Sequence, residues 1–167
     1  MKTISRVLAS LILVATAGVA SAQTAAKEFY VEGGLLGLKF EDSTHSKTPL
    51  LARLIVGKEI NQNLAAEGMV GVTLSKDQDL SATTVGAFLK PKFEVAKDVE
   101  VFGRIGATHT GTKYNTGSYS TTRAAYGFGV QMQINKDVYG QVDYMHYAKD
   151  DVGTNARGFT LSVGTRF

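Results

Sequence analysis

The chain has 167 residues, 18 basic against 15 acidic, and no cysteine. That length suits one domain, and the missing cysteines exclude disulfides and thiolate metal sites. Eighteen glycines beside two prolines point to ordered structure with close backbone approaches, not a disordered tail.

The first residues read as a targeting segment. Lys2 and Arg6 give a positive start, Val7 to Ala20 is apolar or small, and Ala20-Ser21-Ala22 has the small-x-small pattern of a cleavage site. The apolar run covers 14 residues, short of the ~20 that a spanning helix needs. The expectation is a secretory signal peptide over 1–22 and one domain over 23–167. Lys2 and Arg6 are two of the 18 basic residues, so cleavage leaves a formal charge of +1. The basic pI therefore does not signal nucleic-acid binding.

From Lys27 the chain alternates with period two. Lys27 to Phe40 is the first strand, with Glu32 inward and Phe29, Val31 and Leu35 outward. Adjacent Leu35 and Leu36 leave its register near Gly33-Gly34 weakly defined. A polar loop spans Glu41 to Pro49. Leu50 to Glu59 follows, with Leu50, Ala52, Leu54 and Val56 opposed to Arg53 and Gly57. Ile60 to Asn63 is a short turn. Leu64 to Ser75 is the third strand, with Glu67 on its polar face, and Lys76 to Ser81 is a polar loop. Ala82 to Val95 sets Val85, Ala87, Leu89, Pro91, Phe93 and Val95 against Thr84, Gly86, Phe88, Lys90, Lys92 and Glu94. Beyond the tight Lys97-Asp98 turn, Val99 to Thr108 carries Glu100 and Arg104 on its polar face. His109 to Thr122 reads as the longest loop. Arg123 to Ile134 is the sixth strand and Asn135 to Asp137 a short turn. Val138 to Tyr147, with Asp143 inward, is the seventh, and Ala148 to Ala156 is a loop. The closing strand runs from Arg157 to the end, with Phe159, Leu161, Val163, Thr165 and Phe167 on one face and Gly158, Thr160, Ser162, Gly164 and Arg166 on the other.

Eight strands of roughly ten residues, an even number, suit an antiparallel up-and-down transmembrane β-barrel. Short turns alternate with longer polar connections, the asymmetry of periplasmic turns and external loops. The polar parity carries Glu32, Glu67, Glu94, Glu100 and Asp143 against Arg53, Lys90, Lys92, Arg104 and Arg166. Five acids against five bases permit pairing inside a narrow lumen, where buried charges need partners. Glycines on the same parity make room for long side chains. Phe29, Tyr30, Phe93, Tyr126, Tyr144, Phe159 and Phe167 near strand ends are candidates for interfacial girdles. Pro91 has no donor for a closed ladder, so a bulge or a place near the periplasmic rim is expected.

With a signal peptide, eight alternating strands and a terminal Phe167, the chain resembles the small Gram-negative outer-membrane barrels. These include the outer membrane protein X/Ail group, the transmembrane domain of outer membrane protein A and the broader opacity-like superfamily. The resemblance covers the whole mature chain. It implies a cell outer membrane location, with membrane lipid and lipopolysaccharide as surroundings. It also implies that the barrel-assembly machinery reads the C-terminal strand through Phe159, Leu161, Val163 and Phe167.

Chemistry is sparse. His45, His109 and His146 fall in or beside proposed loops and lack the partners for a metal or nucleophile site. No phosphate loop or dinucleotide fingerprint occurs. No catalytic, cofactor or metal site is expected. The segment around Tyr114, Asn115 and Tyr119, polar with aromatic anchors, is the candidate external surface for a host or cell-surface ligand. The expected protein is a monomeric barrel serving envelope integrity or surface interaction. A narrow porin-like channel and a soluble periplasmic lipid-binding barrel are the alternatives.

Overall fold

The computed structural model describes residues 28–41, 46–47, 50–75, 81–114, 117–147 and 155–167. All of its regular structure is strand: β1 (Phe29–Glu41), β2 (Ser46–Lys47), β3 (Leu50–Asn61), β4 (Leu64–Ser75), β5 (Ser81–Ala96), β6 (Val99–Tyr114), β7 (Gly117–Gln133), β8 (Val138–Tyr147) and β9 (Asn155–Arg166). The two-residue β2 pairs only with the far end of β1. The other eight form an antiparallel meander that closes through β1 on β9.

Closure answers the question left by Gly33-Gly34. Gly33 lies opposite Val163 and Gly34 opposite Ser162, so Glu32 points inward beside Gly164. Gly34 sits tight on the Ser162 side chain and the Leu161 carbonyl, where a Cβ has no room, while Gly33 has open space. The seam is locked at its end by Phe167 N–H donating to Phe29 C=O at 2.9 Å and Phe29 N–H to Phe167 C=O at 3.2 Å.

Registers fix the barrel's shape. Followed once round the wall, the pairing runs from Tyr30 through Gly57, Glu67, Phe88, Gly106, Ala125, Tyr147 and Ala156 and returns to β1 at Phe40, ten residues on. That stagger, with eight strands, tilts them by about 40° to the axis and leaves an interior that side chains fill.

Strand burial follows the pleat. β3 buries every second residue through Leu51, Arg53, Ile55 and Gly57, with half-buried or exposed residues between them. The inward set carries the buried charges, amides and hydroxyls among aromatic and aliphatic side chains; the outward set is dominated by Val, Leu, Ile and Phe and holds no buried charge. A water-soluble lipid-binding barrel has the opposite arrangement, with its apolar face inside. This structure excludes that alternative.

The turns share one end with both termini of the barrel. Asn63 N–H donates to Asn61 Oδ1 at 2.9 Å, and Asn135 Oδ1 accepts from Asp137 and Val138 N–H at 3.0 and 2.9 Å. These side-chain caps are the reason asparagine recurs in such tight links. Asp98 closes the β5–β6 turn with φ 64°, a left-handed conformation that aspartate tolerates better than most residues.

Two sequence expectations need correction, and of the two places expected for Pro91 the structure has the one near the short-turn rim. The 14-residue loop from His109 to Thr122 is largely strand. β6 runs to Tyr114 and β7 starts at Gly117, paired rung by rung through His109–Thr122 and Thr112–Tyr119. Thr, Ser and Tyr are good strand formers, and their polarity reflects projection beyond the apolar belt, not irregular backbone. Tyr30 is not a girdle residue; it is 2% exposed, inside the barrel. Pro91 causes no shift of register. It lies near the short-turn end opposite Leu64, and its gap in the ladder falls opposite Gly103. The irregularity comes later, between Glu94 and Ala96.

Candidate functional site: a charge network filling the lumen

Six charged side chains meet in the middle of the barrel, each contributed by a different strand. Glu32 comes from β1, Arg53 from β3, Glu67 from β4, Lys90 from β5, Arg104 from β6 and Asp143 from β8. Arg104 is the hub. Its Nε and Nη2 grip Glu67, the second at 3.0 Å. Nη2 also reaches Glu32 at 2.8 Å, and Nη1 reaches Asp143 at 3.0 Å. Arg53 forks onto both oxygens of Asp143, Nη1 at 2.8 Å, and touches Ser162 Oγ at 3.2 Å. Lys90 donates to Glu32 at 3.0 Å. Three acids face three bases, so the buried set is neutral, as low-dielectric surroundings require.

Uncharged groups complete the network. Tyr30 donates to Glu67 at 2.7 Å and Tyr139 to Glu32 at 2.9 Å. Gln141 donates to Glu32 at 3.0 Å and Asp143 at 3.2 Å. The two tyrosine rings fit because each lies on a cross-strand glycine, Tyr30 on Gly57 and Tyr139 on Gly164. A Cβ at either glycine would fall inside the ring.

Toward the short turns lies a second neutral set. Lys92 pairs with Glu59 at 2.7 Å, and Arg166 pairs with Glu100 at 3.2 Å. Arg166 also donates to Gln133 at 2.7 Å. Toward the other end the charges give way to apolar side chains mixed with the hydroxyls of Thr84, Thr108 and Thr160. Leu36, Leu51, Met69, Met145 and Tyr147 are buried there.

Of the ten charges expected in the lumen, the structure brings nine into these two sets. Glu94 is the exception. It is exposed near the Lys97-Asp98 turn, next to the irregularity that ends the alternation of β5. Glu59 takes the fifth acidic place. Simple parity from Arg53 and Gly57 points to it, at the last residue of the strand expected over Leu50 to Glu59. Gln131, Gln141 and Tyr139 fall on the inward parity, but uncharged residues there carry no signal of their own for the network, and Tyr30 reads as a girdle residue.

On the outside, Phe128, Tyr144 and Phe159 stack across three strands with centroids 6.0 and 4.8 Å apart. Tyr126 packs on His146 at 5.0 Å in the next row. Leu161 and Val163 face outward beside them, and Phe167 ends the seam. His109 bonds Thr122 across the hairpin at 2.9 Å. Tyr114 and Tyr119 lie in the upper rungs of β6 and β7; Asn115 and His45 lie outside the described residues. Among the described residues no three metal-ligating side chains converge.

A closed eight-strand barrel with a continuous apolar exterior and a charged, filled interior is a membrane-spanning barrel. The chain belongs to the outer membrane protein beta-barrel domain family, whose model matches residues 7–167. No curated protein matches the sequence. Solved structures share the fold. Ail, the attachment invasion locus protein of Yersinia pestis, solved with the heparin analogue sucrose octasulfate, is 20% identical. The match covers 84% of this chain and 98% of that one with a TM-score of 0.61. Neisserial surface protein A is 16% identical over 87% and 100%, with a TM-score of 0.67. The N-terminal barrel of Pseudomonas aeruginosa OprF is 11% identical over 86% and 100%, also at 0.67. The protein is an outer-membrane barrel of this general type.

Proposed function

We propose that this protein is a sealed, monomeric barrel without catalytic activity, acting in envelope integrity or surface contact rather than in transport. The observation that carries this reading is the lumen. A neutral network of interlocked charges and a layer of buried apolar side chains lie in series across it. A conducting pore of eight strands would need a continuous polar path, and both layers oppose one.

In this reading residues 1–22 are the export signal. The outward Phe159, Leu161, Val163 and Phe167 are the face offered to the assembly machinery, and the short-turn end faces the periplasm. The opposite end then reaches the cell exterior, led by the β6–β7 hairpin with Tyr114 and Tyr119 in its upper rungs. A stiff hairpin loses less entropy on binding than a free loop, which favours surface contact. Ail was solved with a sulfated heparin analogue; a polyanionic surface ligand is the corresponding possibility for this chain.

The test is conductance. Purified protein reconstituted in planar bilayers should give no steady single-channel events in 1 M KCl. Reproducible open levels would overturn the sealed reading in favour of a narrow channel.

A further inference from the structure

The Lys90 ammonium sits in a cage with two kinds of wall. Oxygens come from Glu32 at 3.0 Å, Gln141 at 3.1 Å, Gln131 at 3.3 Å and Glu67 at 3.5 Å. Aromatic faces come from Phe102, Tyr30 and Tyr139, with centroids 4.5, 5.1 and 5.9 Å from the nitrogen. Carboxylate and amide oxygens combined with ring faces are the surroundings a small monovalent cation selects.

Each wall is held by something other than Lys90. Gln131 spends its amide N–H on Glu100 at 2.8 Å, and Gln141 spends its own on Glu32 and Asp143. Those donations turn both carbonyl oxygens toward the cage. Glu32 and Glu67 are gripped by Arg104. The tyrosine hydroxyls go to Glu67 and Glu32, so only their faces are left for the cation. Tyr30, Tyr139 and Phe102 rest on Gly57, Gly164 and Gly129. The cage therefore keeps its form without its occupant.

We propose that this cage is a binding site for a small monovalent cation, K+ or a primary ammonium, which the native chain fills with its own tethered ammonium. Lys90 is then a built-in ligand as well as one member of an ion-pair network. Shortening it leaves Glu32, Glu67 and Asp143 facing only Arg53 and Arg104. The surplus negative charge and the vacated volume coincide, and a cation from solution satisfies both.

The experiment is urea unfolding of Lys90→Ala in detergent micelles at constant ionic strength. KCl or methylammonium chloride replaces the chloride of N-methylglucamine, a cation too bulky for the cage. Once the site begins to fill, each tenfold rise in small cation should raise the folding equilibrium constant of Lys90→Ala about tenfold. The native chain should not respond, because its site is occupied. Adding Glu67→Gln to Lys90→Ala removes the surplus charge and should abolish most of the response. The proposal is overturned if Lys90→Ala ignores the identity of the cation, or if the double variant responds equally. It is also overturned if Lys90→Ala fails to fold at every methylammonium concentration.

Discussion

Arg104→Ala should be the most destabilising single truncation in the lumen, by about 3–5 kcal/mol. The side chain is 2% exposed and bonds three carboxylates at once. Removing it leaves Glu32, Glu67 and Asp143 with Arg53 and Lys90 as their only cations, in a space too confined for full hydration of the stranded charge. The cost is therefore that of stranded charge, larger than the net worth of any one pair. Arg104→Lys should fall between, since an ammonium keeps the charge but cannot form the fork with Glu67. Arg166→Ala is the internal comparison. Its side chain is 18% exposed near the short turns, so water and salt soften the loss of Glu100 to about 1 kcal/mol or less. Reversible urea unfolding in phospholipid vesicles measures all three. Equal effects at Arg104 and Arg166 would mean that the interior is wet and the network incidental.

Val142→Arg should cost nearly as much for the opposite reason, about 2–4 kcal/mol. Val142 lies midway along β8, faces outward and is 51% exposed, so it meets the centre of the bilayer. An arginine there has no carboxylate to meet and must bend toward the headgroups. Thr165→Arg, on the same face but at the end of β9, should cost about 0–1 kcal/mol, because depth sets the penalty. The same unfolding assay should rank the two accordingly. A reversed ranking would place the membrane elsewhere on the barrel.

The fold was legible because the pleat has a period of two and the exterior obeys it. From Val85 to Phe93 every second residue is apolar, and from Phe159 to Phe167 every second residue but Thr165 is. The lumen was legible only as a set of charges. Parity showed that Glu32, Glu67 and Asp143 share an interior with Arg53, Lys90 and Arg104, but which acid meets which base depends on a ten-residue stagger that no local pattern encodes. Parity also fails where strands end. Glu94 follows it in register opposite Glu100, yet it lies at the last regular rung beside the turn and is exposed, and Glu59 fills the place. The β6–β7 hairpin was hidden for a related reason. Thr, Ser, Gly and Tyr give no apolar alternation there, although Thr110 to Tyr114 and Gly117 to Thr121 keep their backbone pairing. Tyr30 was misplaced because an aromatic near a strand end looks the same whether it faces lipid or rests on a glycine such as Gly57.

Adjacent residues of one strand face lipid and the barrel interior in turn. The absence of native cysteine allows a direct measurement. Single variants Leu161→Cys, Ser162→Cys and Val163→Cys, each carrying a small environment-sensitive fluorophore attached before folding, are folded into vesicles with spin-labelled acyl chains. Fluorescence at positions 161 and 163 should be strongly quenched by the lipid label and untouched by aqueous iodide. The label at 162 should be quenched by neither, or should prevent folding. Lipid quenching at 162, or iodide quenching at 161 and 163, would contradict the inside-out barrel.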